Sequence, residues 1–218
     1  HPFTTEFANL ESKEFVCELL VKQVGIHTII IGYDNQFGKN RSGNFQQLKQ
    51  LSEKYGFQLI QLDEIKSGDQ HISSTQIRKA LKEGDLAFAN KGLGRNYSIS
   101  GTVVHGDKLG RTLGFPTANL EVDSYKLIPA DGVYVVKASI NNKQHKGLLS
   151  IGNRPTVTNS NEKRVEVFLL DFQGEIYGEW VDLELIHFIR KDQKFNSLDE
   201  LIFQMNQDLA FAKDFQME

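Results

Sequence analysis

The chain has 218 residues, of which 39% are hydrophobic and 10% aromatic, and its formal net charge is −3 at pH 7. This length permits one large or two small domains, and the near balance of charge argues against a broad nucleic-acid-binding surface. No apolar stretch is long enough to span a membrane, and no secretory signal opens the sequence. The single cysteine, Cys17, cannot form an internal disulfide, which predicts a reducing, cytoplasmic compartment.

Residues 1 to about 92 alternate helical and strand patterns. Ser12 is predicted to cap a first helix, in which Cys17 is a buried thiol among apolar neighbours. A parallel α/β layer follows from this βαβ rhythm, with too few strands for a complete doubly wound domain. In chain order, the predicted elements are a strand buried on both faces at Thr28–Gly32, a helix at Phe45–Tyr55 capped by Gly56, a strand at Phe57–Leu62 and a helix starting at Ser73 or Ser74.

From Asn96 to about Arg190 the hydrophobic period changes to two. Many short strands separated by turns predict a small antiparallel β-barrel. We therefore predict an α+β protein of two domains, 1–92 and 93–218, with the boundary near Gly92–Arg95. The predicted strands are Tyr97–Val104, Gly132–Ile140, His145–Ile151, Val165–Phe172 and Glu179–Ile189.

A capping box formed by Ser197 and Glu200 predicts a C-terminal helix. Its core-facing side chains are predicted to be Leu198, Leu201, Ile202, Met205 and Leu209.

The segment from Gly106 to Asn119 contains the densest set of candidate binding residues. Glycines let backbone N–H groups approach an anion closely, and an arginine can fork onto phosphate oxygens, so Gly106, Gly110, Arg111 and Gly114 are candidates for binding a nucleotide. Thr117 and Asn119 offer neutral oxygens that suit Mg²⁺. The spacing is not that of a Walker A loop. A simple β-turn between apolar runs is the alternative for the first half of the segment.

Glu166 is the best candidate for a general base, because it lies between apolar residues in a predicted strand. Alternation by itself allows either a solvent-facing side chain or one directed into a site. The string Gly-Phe-Pro-Thr-Ala-Asn at 114–119 closely resembles the signature of the riboflavin kinases. The resemblance continues through 150–156, Tyr177-Gly178 and 188–195, and so covers the second half of the chain.

The resemblance to riboflavin kinases implies ATP- and Mg²⁺-dependent phosphorylation of riboflavin to FMN. Glu166 would be the catalytic base, the glycine-rich segment would hold ATP, and Thr117 and Asn119 would place the metal. Arg190 would border the flavin, although a solvated charge at the end of a strand is the alternative.

Two further strings, 32–38 and 72–78, resemble the C-terminal part of the FMN adenylyltransferase domain of bacterial bifunctional riboflavin kinase/FAD synthetases. Ser74, Thr75 and Arg78 would form an anion site at a helix start, with ordinary N-capping as the alternative. That family also carries a His-x-Gly-His motif, which is absent from these 218 residues. The sequence is therefore expected to be an N-terminally truncated form that makes FMN but has lost conversion of FMN to FAD.

A barrel that binds flavin or nucleotide without chemistry is the main alternative function. Thr117, Asn119 and Glu166 favour an enzyme, because a binding module needs no base. An oligonucleotide-binding barrel is disfavoured by the acidic charge balance. The expected partners are small molecules, namely riboflavin, ATP and FMN, with neither nucleic acid nor membrane.

Overall fold

The computed structural model describes residues 2–64, 66–67, 70–106, 110, 113–153 and 163–216. Packing divides the chain into two compact units, His1–His71 and Ile72–Glu218. In the described residues, no helix combines the length and the hydropathy that crossing a membrane requires.

Within its described residues, the first unit contains three α-helices and a two-stranded parallel sheet. Helix α1 spans Thr5–Ala8, α2 spans Ser12–Glu14 and continues as a π-helix over Phe15–Val24, and α3 spans Phe45–Tyr55. Strands β1 (Thr28–Gly32) and β2 (Gln58–Leu62) are parallel neighbours in the sheet, and α3 lies between them in sequence. This confirms the predicted βαβ unit. Smaller elements are a 3₁₀ turn at Lys39–Arg41 and the hairpin strands β3 (Lys66–Ser67) and β4 (Gln70–His71).

Two predictions for the first unit are wrong in detail. Strand β1 is not buried on both faces: Ile31 is 4% exposed, whereas Ile30 is 61% exposed. Ser12 is not a cap but the buried first residue of α2, and Glu11 precedes it at the cap position. A Cβ at Gly38 would lie 2.5 Å from the Ser12 Cα, so close packing of two backbones explains the burial of this serine. Cys17 is buried as predicted, in the π-helix.

The second unit is built around a closed barrel of six antiparallel strands, which confirms the predicted architecture. The strands follow one another around the barrel in the order β10, β5, β6, β9, β8, β7. Alternate residues of every strand fill the interior, as Tyr97, Ile99 and Val103 do in β5. The strands are β5 (Tyr97–Val104), β6 (Thr117–Val122), β7 (Gly132–Ile140), β8 (Lys143–Asn153), β9 (Lys163–Leu169) and β10 (Trp180–Lys191).

Two helices that precede the barrel in sequence pack onto it. Helices α4 (Ser74–Glu83) and α5 (Leu86–Leu93) bury four side chains in the same hydrophobic cluster as the barrel interior, namely Ala80, Leu81, Leu86 and Ala89. Packing therefore divides the chain between residues 71 and 72, whereas the change of hydrophobic period put the boundary near residue 92. Helix α5 was not among the elements predicted from the sequence, because its last residues, Gly92 and Leu93, were interpreted as the domain boundary.

The C-terminal helix α6 (Leu198–Asp214) starts at the predicted cap. The Ser197 hydroxyl accepts a hydrogen bond from the Glu200 N–H at 3.2 Å, but the Glu200 carboxylate accepts from the Asn196 N–H, at 2.9 Å, rather than from that of Ser197. Leu198, predicted to face the core, is 56% exposed, so that prediction is wrong. The helix packs on the outside of the barrel through Leu209 and Ala212.

Tyr134 in β7 gives the barrel a measurable pH dependence. Its side chain is fully buried, its hydroxyl donates to the Ala130 carbonyl at 2.5 Å, and burial raises the pKa of the phenol. An unfolded tyrosine ionises near pH 10, whereas the folded one stays neutral, so the free energy of unfolding should fall as the pH rises above about 10.

We expect Tyr134→Phe to weaken that alkaline decline and to cost about 1 kcal/mol at neutral pH through the lost hydrogen bond. Urea unfolding at pH 8 and at about pH 10.5 measures both effects. Tyr125, which is 97% exposed, supplies the control variant Tyr125→Phe. Equal pH dependence in the two variants would contradict the assignment.

Candidate functional site

The pairing of β6 with β9 brings the predicted base and the residues predicted to place the metal onto one face of the barrel wall. Asn119 lies directly opposite Glu166, and Thr117 lies opposite Phe168. Residues opposite each other in an antiparallel pair share a face, as do residues two apart in one strand. Thr117, Asn119 and Glu166 therefore form one group, which we call the β6–β9 cluster. Its members are separated by up to 49 positions in sequence.

Glu166 lies on the outer face of the barrel, yet it is largely covered. Its neighbours Val165 and Val167 are buried in the interior, which directs the intervening carboxylate outward. Only 21% of the Glu166 side chain is exposed. The Thr117 hydroxyl donates to Glu166 Oε2 at 3.4 Å. The carboxylate thus belongs to a side-chain cluster and is not a free surface charge.

Arg164 contacts two members of the cluster, Asn119 and Glu166. It was not among the site residues predicted from the sequence. Its Nε donates to Asn119 Oδ1 at 3.1 Å, and its guanidinium is in ionic contact with Glu166 Oε1. The available signal was the spacing of two residues between Arg164 and Glu166, which puts both side chains on one face of a strand.

Gly106 and Gly110 lie close to β6 and to the residues just before it. A Cβ at Gly106 would be 2.1 Å from the Asn119 amide nitrogen, and a Cβ at Gly110 would be 2.3 Å from the Phe115 carbonyl oxygen. A larger residue at Gly110 would therefore collide with backbone, whereas one at Gly106 would displace the Asn119 side chain. Gly114 instead has a φ of 83°, in the left-handed region that favours glycine. Arg111 lies outside the described residues.

Two cavities border the cluster. The larger, of about 620 Å³, is lined by Gly106 and Asn119, by three cationic side chains, those of Lys126, Lys163 and Arg164, and by two carboxylates, those of Glu121 and Asp123. Burial, followed by the charge of Arg95, lowers the pKa of Lys126, whose Nζ lies 4.5 Å from the centre of the Tyr97 ring. The smaller cavity, of about 100 Å³, is lined by Thr117 together with apolar and aromatic side chains such as Val167, Phe172 and Tyr177.

Arg190 is held in an ion pair. Its Nε and Nη2 donate to the two carboxylate oxygens of Asp208 in α6, at 3.0 and 2.7 Å. Asp208 is 4% exposed and also accepts from Gln204 at 2.9 Å. A solvated charge at the end of a strand is therefore excluded, and the guanidinium ties β10 to α6.

The start of α4 has the capping pattern that the sequence left as an alternative. The Ser73 hydroxyl accepts from the Gln76 N–H at 3.3 Å, while Ser74, Thr75 and Arg78 are exposed on the first turns of the helix. Ser74, Thr75 and Arg78 are therefore accessible, and their role as an anion site stays a prediction.

Comparison with known proteins agrees with both halves of this description. A family model for riboflavin kinase matches residues 93–216, which contain the barrel and α6, and one for FAD synthetase matches residues 1–76. The second unit therefore has the fold and the family signature of a riboflavin kinase.

Relatives that match nearly the whole chain define the family more closely. Bifunctional riboflavin kinase/FMN adenylyltransferases of Listeria monocytogenes and Escherichia coli are each 40% identical to this chain over 98% of it, and the matches cover 67% and 68% of those proteins. A crystal structure described as a macrolide-efflux protein from Streptococcus pneumoniae is 34% identical, with a TM-score of 0.85, and the match covers 98% of this chain and 68% of that one. The chain belongs to the bifunctional riboflavin kinase/FMN adenylyltransferase family.

The Arg190–Asp208 pair yields a prediction about stability. Asp208→Ala should lower the free energy of unfolding by about 3 kcal/mol, because it leaves a mostly buried guanidinium without its carboxylate. Asp199→Ala, in the first turn of the same helix, should cost at most about 1 kcal/mol. Denaturant unfolding of both variants measures the difference, and similar losses would show that the pair does not anchor α6.

Proposed function

We propose that the second unit phosphorylates riboflavin to FMN at the β6–β9 cluster, with ATP as the phosphoryl donor. The observation that supports this site best is the register of β6 with β9. It sets the predicted base, Glu166, directly opposite Asn119, which is predicted to place the Mg²⁺ ion. The riboflavin kinase family model covers all of these residues, so phosphorylation of riboflavin is the activity expected of this part of the chain.

Glu166 would act as the general base. Its carboxylate accepts the proton of the terminal ribityl hydroxyl as the hydroxyl oxygen attacks the γ-phosphorus. The new bond joins that oxygen to phosphorus, the bond from the γ-phosphorus to the bridging oxygen breaks, and ADP leaves. The contact between the Thr117 hydroxyl and Oε2 supports this role, because it fixes one carboxylate oxygen beside the glycine-rich segment.

The residues of the cluster fit Mg²⁺. Thr117 and Asn119 present neutral oxygens, and a carboxylate lies beside them, which is the donor chemistry that magnesium accepts together with phosphate oxygens and water. When bound, the metal would neutralise charge on the triphosphate oxygens. Among the described residues no group of three or more His, Cys, Asp or Glu side chains forms a metal site, so neutral oxygens would supply most of the protein ligands.

The larger cavity is the proposed location of the nucleotide phosphates. Its lining includes Lys126 and Lys163, whose charges favour an anionic ligand, together with Glu121 and Asp123, and Lys163 also pairs with Asp131. Gly106, Gly110 and Gly114 would bring backbone N–H groups close to the phosphates, and Arg111 would add a fork of donors. The absence of a Cβ at Gly106 leaves Asn119 in place at the edge of this cavity.

Two predicted contacts concern the other ligands of the family. Arg190 is proposed to border the flavin. Its ion pair with Asp208 would hold the segment that follows β10 in place. Ser74, Thr75 and Arg78 are proposed to bind an anionic group in the FMN adenylyltransferase reaction, because their exposed side chains stand at the start of α4.

Incubation with riboflavin, ATP and Mg²⁺, followed by chromatographic separation of the flavins, tests the proposal. FMN should accumulate in proportion to the ATP consumed. Flavin binding without FMN formation would favour a binding module instead.

Glu166→Gln should slow phosphorylation by roughly 10²–10⁴-fold and leave riboflavin binding nearly unchanged, because the amide keeps the shape of the side chain but cannot accept the proton. Steady-state turnover and quenching of flavin fluorescence measure the two quantities. Glu184→Gln is the matched control, since Glu184 pairs with Lys137 on the opposite side of the barrel. Turnover at the wild-type rate in Glu166→Gln would remove the base assignment.

Thr117→Ala and Asn119→Ala should each raise the Mg²⁺ concentration needed for half-maximal activity, because each removes an oxygen that holds or orients the metal. Riboflavin binding measured without nucleotide should change less. A magnesium titration at saturating ATP tests this, with Thr102→Ala on β5 as a control outside the cluster. Unchanged titrations in both cluster variants would show that these side chains do not position the metal.

A further inference from the structure

We propose that Arg164 is a positioning residue for Glu166: its guanidinium holds one carboxylate oxygen, so that the other is presented to the reacting hydroxyl. The inference rests on the proposed role of Glu166 as the base. It assigns Glu166 Oε2, rather than Oε1, as the atom that takes the proton.

The strands around Arg164 give it room to lie beside Glu166. The two residues are two positions apart on β9 and therefore share the outer face of the barrel. On the neighbouring strand β8, the residue opposite Arg164 is Gly152, which has no side chain to compete for the space. On the other side, β6 places Asn119 opposite Glu166. The guanidinium thus lies between Asn119, which is predicted to place the metal, and Glu166, the predicted base.

The contacts distinguish the two carboxylate oxygens. Oε1 is shielded from solvent and accepts no hydrogen bond from the described residues, but it is in ionic contact with Arg164, whereas Oε2 accepts from the Thr117 hydroxyl at 3.4 Å. The Arg164 side chain is 26% exposed, so the contact is partly screened from water and restrains the carboxylate more than a surface pair would. Oε2 is therefore the oxygen that faces Thr117, on the side of the smaller cavity that Thr117 lines.

Arg164 also fixes the cluster as a unit. Its Nε donates to Asn119 Oδ1 at 3.1 Å, and the same nitrogen is in ionic contact with Glu166, so one rigid group lies between Asn119 on β6 and Glu166 on β9. Lysine carries the same charge on a compact ammonium at the end of a flexible stem and cannot reproduce the planar, pre-organised guanidinium. Loss of this restraint would let the carboxylate rotate away from the direction of proton transfer, and small misplacements of a reacting group cost large factors in rate.

We expect Arg164→Gln to lower kcat by about 10–100-fold, with the KM for riboflavin within about twofold of wild type. Arg164→Lys should recover part of the loss in kcat. Lys137→Gln is the matched loss of a cation, since Lys137 lies 3.4 Å from Glu184 on the opposite side of the barrel, and it should behave as wild type. A wild-type kcat in Arg164→Gln, or a loss confined to KM, would overturn the proposal.

A double-mutant cycle separates positioning from an independent role. If Arg164 acts through Glu166, Arg164→Gln should cause little further loss of kcat in a Glu166→Gln background. If the loss of kcat in the double variant equals the product of the two single-variant losses, the two residues act independently and the proposal is overturned. Wild-type turnover in Glu166→Gln would remove the base assignment and the positioning role together, whereas a slow Glu166→Gln beside a normal Arg164→Gln would remove the positioning role alone. Thermal melting checks folding, and if Arg164→Gln is unfolded the same cycle is run with Arg164→Lys.

Discussion

The antiparallel register of β6 and β9 is the constraint on which the candidate site depends. It sets Asn119 opposite Glu166 and leaves Thr117 on the same face. A shift of one residue in either strand would turn one side of the cluster into the barrel interior, because side chains alternate between faces. The closed barrel prevents such a shift, since both strands are also paired on their other edges, β6 with β5 and β9 with β8.

The candidate site lies on the outer wall of the barrel, whose interior is filled mainly by hydrophobic side chains. Covering groups must therefore come from the segments around the wall. Gly110 brings one such segment against the backbone of Phe115, just before β6, and Gly106 lies against the Asn119 side chain. Arg164 adds a cation that contacts both strands of the cluster. Close backbone packing and one ion-pair network together shield Glu166 on a face that alternation alone would expose to water.

The ion pair between Arg190 and Asp208, which lies outside the cluster, stabilises the architecture of the second unit. The bidentate contact of Arg190 with the buried Asp208 joins the last strand to α6, and the helix then covers an outer hydrophobic layer of the barrel through Leu209 and Ala212. Such a pair is costly to break because either partner would be left buried and unpaired. Arg190 therefore contributes to the architecture whether or not it also borders the flavin.

The sequence by itself determined the class of fold and most candidate residues, because hydrophobic period and local motifs report on neighbouring positions. It predicted the barrel, the βαβ unit and the residues Thr117, Asn119 and Glu166 before their contacts were known. Only the tertiary structure decided that Thr117–Val122 is a strand, that α4 and α5 pack with the barrel, and that Arg164 joins the cluster. These features depend on pairing between segments far apart in sequence, where burial and partners, rather than local pattern, fix the role of each residue.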